Sequence, residues 1–244
     1  FQRLAEKIGI RLQHAFRIYK KYVSVVLRPN GGHNLLDAQG IDPQAAALIE
    51  PYAISAHAVR RAAVAPGEQV LVVGAGPIGL GAAAIAKADG AQVVVADTSP
   101  ARREHVSSRL GLPVIDPSAE DFDTQLRDQF GGSLAQKVID ATGNQHAMNN
   151  TVNLIRHGGS IVFVGLFKGD LQFSDPEFHK KETTMMGSRN ATPEDFAKVG
   201  RLMSEGKLTA DMMLTHRYAF ATLAEIYERD VINNRELIKG VITF

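Results

Sequence analysis

Residues 70–97 read VLVVGAGPIGLGAAAIAKADGAQVVVAD. An apolar run breaks at three glycines, becomes an alanine-rich stretch, and gives way to a second apolar run that ends in Asp97. Few folds accept that order. Gly74, Gly76 and Gly79 stand in G-x-G-x-x-G spacing. The first glycine permits a tight turn off a strand, the second lets the backbone approach a diphosphate, and the third lets a helix pack against the strand. Pro77 suits the first turn of that helix, where an amide has no helical partner. The amides of that turn, including Ile78, then face an anion with the positive end of the helix dipole. Asp97 follows Gly79 by 18 residues, at the end of the next strand, where a carboxylate clasps the two hydroxyls of a ribose. It also selects against a 2′-phosphate, because two charges about 4 Å apart repel by several kcal/mol at an effective dielectric near 20. NAD is therefore the expected cofactor. Arg102, five residues on, either favours a 2′-phosphate or stacks on adenine.

The pattern around this loop alternates. Strands are predicted at Gln69–Val73, Gln92–Ala96, Pro113–Ile115, Lys137–Ala141, Ser160–Gly165 and Thr183–Gly187. Helices fit between them at Pro77–Ala88, Ala101–Leu110, Ala119–Phe130 and Gln145–Arg156. Apolar strands alternating with helices imply a parallel sheet covered on both faces. The expected class is α/β, a doubly wound parallel sheet (Rossmann), with a remnant of a second, mostly β domain formed by the two chain ends. The expected division is an atypical N-terminal segment at 1–48, the dinucleotide-binding domain at 49–190, and a C-terminal segment at 191–244.

The flanks do not follow that rhythm. In residues 1–28 seven basic residues face Glu6 alone, and Leu4, Ile8, Leu12, Phe16 and Tyr19 recur at helical spacing. That reads as a basic amphipathic helix, either touching an anionic surface or docked on its own domain with a solvated face. A strand-like KYVSVVL follows. Near the other end, helices are expected at Pro193–Glu205 and Ala221–Asp230, the second opened by a capping box of Thr222 and Glu225. The closing KGVITF reads as a strand that needs a sheet to join.

Composition bounds the chemistry. The net charge of +1 exerts no overall pull toward nucleic acid or membrane, and the absence of cysteine excludes disulfides and thiolate metal sites within these 244 residues. No run approaches the length of a membrane span, and no signal-peptide layout is seen, so the cytoplasm is expected. The chain starts at Phe1, which suggests processing or a fragment.

Beyond these local readings, IEPYAISAHAVRRAAVAPGEQVLVVGAGPIGLGAAAIAKADGAQVVVADTSPAR resembles the zinc-dependent medium-chain dehydrogenases, nearest their polyol branch of sorbitol, threonine and sugar-acid dehydrogenases. VIDATGN, GGSIVFVGL, ETTMMGSRN and ELIKGVITF extend the likeness over roughly residues 41–244. The resemblance implies an oxidoreductase moving a hydride between NAD and a CH–OH group of an alcohol, polyol or sugar acid. It places Ile78, Asp97 and Arg102 at the adenosine half of NAD. Val164, Gly165 and Leu166 would line the nicotinamide, near Gly187, Ser188 and Arg189, and Thr142 and Gly143 of VIDATGN would join the cofactor site. Arg189 is expected to reach the substrate, and Glu50 to sit at the catalytic zinc or its water. A homo-dimer or homo-tetramer is implied, with TTMMGS either a pairing edge or an interior strand.

The chain also departs from that family. The cysteine and the GHE pair that hold zinc are missing, since Asn34 follows Gly31–His33. Most of the catalytic domain is expected to be absent. Asn190 replaces the tyrosine of the sorbitol enzymes, which puts a sorbitol-like pocket in question. Glu50 and His57 share a helix face, yet seven residues at about 1.5 Å each separate them by roughly 10 Å, too far for one ion. His14 and His33 remain as donors, and His146 and His157 are expected to border the carboxyl ends of the sheet. Lys168 reads as a surface charge. A chain that binds NAD and catalyses nothing is the alternative, and a nucleotide-responsive binder of nucleic acid a third.

Overall fold

The computed structural model describes residues 41–243 and the backbone of three strands before them, β1 (Arg17–Tyr19), β2 (Tyr22–Val25) and β3 (Asn34–Asp37). These three form a small antiparallel sheet. Arg17 and Tyr19 therefore lie on a strand and not on the expected basic helix; residues 1–16 of that segment, with His14, and also His33, fall outside the described residues. The strand read in KYVSVVL is β2.

From residue 69 the alternation is realised. Strands β4 (Gln69–Val73), β5 (Gln92–Ala96), β6 (Val114–Ile115), β7 (Ala135–Asp140), β8 (Ile155–Phe163) and β9 (Thr184–Gly187) form one six-stranded sheet. Its order is β6-β5-β4-β7-β8-β9, every pairing parallel. Counted within the sheet this is the 3-2-1-4-5-6 order of doubly wound dinucleotide folds, in which the connections reverse between the first and fourth strands. Here that switch lies between β4 and β7. The strand β9 is an edge of the sheet, which decides the placement left open for TTMMGS.

Both faces are covered, as the apolar runs require. Val70 and Val72 of β4 point to one side, into a core shared with α2 (Ile49–Arg61), α3 (Pro77–Ala88) and α8 (Pro193–Ser204). Leu71 and Val73 point to the other, against Phe122, Leu126 and Phe130 around α5 (Phe122–Gln129) and Val152 and Leu154 of α6 (Gln145–Leu154). Short helices occupy Pro43–Ala46 (α1), Pro100–His105 (α4), Asp175–Lys180 (α7) and Leu223–Ile226 (α9). The α4 helix runs on into a wider π-type turn over Val106–Leu110, ended by Gly111 in the left-handed conformation.

Three local expectations need correction. Thr222 makes no capping box; its hydroxyl donates to the Ala219 carbonyl at 3.4 Å, and its own φ/ψ is already helical. The helix expected to Asp230 is four residues of α9 followed by a π-type turn over Tyr227–Ile232. His157 lies near the start of β8, at the amino end of the sheet. The closing strand does form, as β11 (Gly240–Thr243), and it joins β10 (His216–Ala219) in a separate parallel pair.

Candidate functional site

The glycine loop sits at the carboxyl end of β4, at the switch point. Gly74 adopts φ +96°, a conformation that favours glycine, and its amide donates to the Ala96 carbonyl at 2.7 Å. A side-chain carbon on Gly79 would stand 1.8 Å from the Gly74 carbonyl oxygen, so α3 meets the turn backbone to backbone. Gly76 differs. An added carbon there meets nothing within 4 Å, and its φ of −74° is ordinary. The space above Gly76 is open, at the mouth of an α3 that starts with Pro77 in its first turn.

Asp97 closes the other side of this loop. It is 7% exposed, and its two oxygens accept amides from Ala75 at 2.7 Å and Ser99 at 2.8 Å. The carboxylate thus ties the end of β5 to the glycine turn. The Arg102 guanidinium lies 3.8 Å from it, so the arginine faces the acid. Ile78 is half-buried, and its carbonyl is within hydrogen-bond reach of the buried Ser55 hydroxyl at 2.9 Å.

The turns after β7 and β8 complete the floor. Val164 and Gly165 donate amides to the Asp140 carbonyl at 2.8 and 3.0 Å. A side-chain carbon on Gly165 would fall 2.2 Å from the Gly143 nitrogen, so the two turns are in contact. Thr142 packs its methyl toward Gly74, and Leu166 is 90% exposed at the rim. Ser188 donates its amide to the Phe163 carbonyl at 2.8 Å, which holds the end of β9 beside the end of β8. Gly187 and Arg189 are exposed there. Gly74, Gly76, Pro77, Ile78, Gly79, Asp97, Arg102, Thr142, Gly143, Val164, Gly165, Leu166, Gly187, Ser188 and Arg189 therefore all lie at or after the carboxyl ends of sheet strands. One neighbour of this floor was not singled out from sequence: Asp140, a fully buried acid. An acid closing an apolar strand was a legible signal for it. The hydroxyl of the expected Ser188 is buried with no hydrogen-bond partner among the described residues.

Glu50 is half-buried in the first turn of α2. That helix runs unbroken to Arg61, and His57 is held by Asp195 at 2.9 Å. No group of three or more histidine, aspartate or glutamate side chains able to hold a metal occurs among the described residues. The described donors therefore do not fit a catalytic zinc. His146, in the first turn of α6, and Lys168 are exposed.

A family profile described as zinc-binding dehydrogenase matches residues 77–205, just over half of the chain. The chain belongs to that family. It is 83% identical over 239 residues to L-galactonate-5-dehydrogenase of Escherichia coli, an alignment covering 98% of this chain and 69% of that protein. It is 31% identical over 228 residues to sorbitol dehydrogenase of Halalkalibacterium halodurans, covering 92% of this chain and 65% of the relative. Among solved structures, 2R,3R-butanediol dehydrogenase of Bacillus subtilis superposes with a TM-score of 0.78 at 24% identity, over 86% of this chain and 60% of that one. The last likeness bears on the fold alone. The chain thus spans between about three fifths and seven tenths of these dehydrogenases, and the zinc-binding dehydrogenase fold accounts for the doubly wound sheet. No helix among the described residues is long and apolar enough to cross a membrane.

Proposed function

We propose that this dehydrogenase chain holds NAD at the switch point and serves the oxidation of a secondary alcohol on a sugar acid or polyol. The observation that carries the reading is Asp97: a nearly buried carboxylate braced on the glycine turn, beside open space over Gly76. The diphosphate would rest over Gly76 on the amides that open α3, and the ribose diol would meet Asp97. NAD bound there would supply the hydride acceptor for oxidation of the alcohol carbon. The residues of this chain orient the partners. Val164, Gly165 and Leu166 would present backbone to the nicotinamide, and the exposed Arg189 would face the substrate. A guanidinium there suits a carboxylate, which agrees with the sugar acid named in the 83% identical relative. Glu50 is proposed to act at the metal centre of the whole enzyme, and no step is assigned to zinc from the described residues. Assembly as a homo-dimer or homo-tetramer fits the outer edge of β9, which no strand pairs among the described residues.

Calorimetry with NAD, together with NADH formation from L-galactonate followed by absorbance, tests this. Wild type should bind NAD more tightly than NADP. Asp97→Ala should weaken NAD by roughly ten- to a hundredfold, since charge-assisted hydrogen bonds to the ribose contribute roughly 1.5–3 kcal/mol. Equal affinity for NAD and NADP, or an Asp97→Ala protein that binds NAD unchanged, would rule the reading out. Binding without turnover would favour the non-catalytic alternative.

A further inference from the structure

The sequence ends an apolar strand, AQKVID, with an acid. Asp140 is 0% exposed, in the middle of the sheet. Burying a carboxyl costs several kcal/mol unless its hydrogen bonds repay it. Here they run in one direction. Its Oδ1 accepts the Thr142 amide at 3.0 Å and the Thr142 hydroxyl at 2.9 Å. That hydroxyl accepts the Asn144 amide at 3.0 Å, and Asn144 Oδ1 accepts the Ala147 amide at 3.1 Å, which caps α6. The Asp140 carbonyl, on the other side, takes both amides that start the turn after β8. Its Oδ2 is buried with no partner among the described residues. Burial pushes this carboxyl up from the ordinary aspartate range, against the pull of the Thr142 and Gly143 donors.

One residue therefore holds two turns. The Thr142–Gly143 turn, with Gly143 at φ +61°, is wedged between the loop at Gly74 and the loop at Gly165. Were Thr142 to lose its anchor, the turn would be free to swing between them. The Gly74 loop has anchors of its own in Ala96 and Asp97, whereas the Gly165 loop leans on Asp140 and Gly143.

We propose that Asp140 is a positioning residue that sets the nicotinamide end of the cofactor site, holding the Thr142–Gly143 turn and the Val164–Leu166 loop at a fixed distance from the diphosphate turn. This rests on the NAD reading above and assigns the acid a role in it. The acid does not touch the cofactor; its side chain acts through the Thr142 turn, which in turn abuts Gly165, while the backbone carbonyl that takes the Val164 and Gly165 amides is kept in any variant.

The test compares NADH with ADP, which lacks the nicotinamide half, on the full 244-residue chain by calorimetry. Asp140→Ala should weaken NADH about tenfold, of the order expected for one lost hydrogen bond to a charged or strongly polar group, and leave ADP within about twofold. Asp140→Asn keeps an acceptor at the Oδ1 position and should restore NADH binding to within about threefold of wild type. If Asp140→Ala does not fold, Thr142→Val replaces it: the variant keeps a methyl against Gly74, loses the hydroxyl, and should weaken NADH about threefold with ADP unchanged. Unchanged NADH affinity in the variant measured overturns the proposal. So does an equal loss of NADH and ADP, which marks general loosening, and so does an Asp140→Asn protein as weak as Asp140→Ala. A wild type that binds neither ligand overturns the NAD reading itself, and is told apart by that.

Discussion

Gly79→Ala is expected to lower the melting temperature by about 6–12 °C and to weaken NAD by on the order of a hundredfold. The new carbon would lie 1.8 Å from the Gly74 carbonyl oxygen and 2.9 Å from its carbon. Both are backbone atoms, so no rotamer relieves the clash. Gly74 cannot yield cheaply either, because it is pinned to Ala96 and already sits at a φ that glycine alone adopts easily. The helix α3 must withdraw from β4 or the turn must open. Overpacking of this kind costs about 1–3 kcal/mol, and contact with fixed backbone puts it at the upper end. For a domain of this size each kcal/mol moves the transition by about 2–4 °C. The loss of affinity follows because a displaced turn forfeits roughly 3 kcal/mol of amide–phosphate hydrogen bonding. Gly76→Ala is the control. Its added carbon meets no protein atom within 4 Å, so the melting temperature should hold while NAD binding falls, the carbon entering the space of the diphosphate. Calorimetric melting and NAD titration of the pair check both statements. A Gly79→Ala protein as stable as wild type, or a Gly76→Ala protein that binds NAD normally, removes the basis for placing the diphosphate there.

Asp195→Ala should destabilise the chain by about 2–4 kcal/mol, a fall of about 4–16 °C in melting temperature. Asp195 is 1% exposed at the start of α8. Its oxygens accept the Thr192 amide at 2.8 Å, the Thr192 hydroxyl at 2.9 Å and Arg60 Nε at 2.8 Å, and lie 2.9 Å from His57 Nδ1. The cluster joins the carboxyl-terminal turns of α2 to the amino end of α8. Removing the acid leaves the Thr192 amide without its cap and takes from His57 Nδ1 its carboxylate partner, with only the Arg60 guanidinium left 3.0 Å away. Arg60, at 44% exposure, can turn to water, so its loss contributes little. Burial alone would raise the Asp195 pKa, but the hydrogen bonds from Arg60, Thr192 and His57 outweigh it and hold the carboxyl well below the ordinary range. The sign of the pH effect follows. In the unfolded chain an aspartate takes up its proton near pH 3.9, while the native group stays ionised to lower pH. Its contribution is complete at neutral pH and fades as the pH falls below about 4 toward the native pKa. Denaturant melts between pH 7 and 3 should show the gap between wild type and Asp195→Ala narrowing on acidification. A gap that is constant, or that widens, contradicts this account of the cluster.

The difference between those two sites bears on what can be read from a chain of residues. The glycine turn is local. Its three glycines lie within six positions of one another, and each does something that a strand–turn–helix demands. Strands β4 and β5 and helix α3 carry the bounds expected of them for the same reason: each is a short, strongly periodic segment bracketed by glycine or proline. Asp195 and His57 are 138 positions apart. An acid near a helix start reads as a solvated cap, and nothing nearby says that a second helix will bury it. The β10 strand was missed likewise, because HRYA has no apolar alternation and exists as a strand only through its pairing with β11. The expected basic helix failed at Tyr19 because helical spacing of apolar residues does not exclude a strand when a partner strand is available.

The order of apolar runs and glycines by itself determined the parallel sheet, its covering helices, the glycine turn and the acid at the end of the second strand, because each depends on neighbours a few residues away. Only the tertiary structure decided that β9 is an edge, that Asp140 lies buried between two turns, and that Asp195 holds His57. Those outcomes depend on which distant segments come to lie side by side, and burial turns an ordinary polar side chain into a structural anchor only once that has happened.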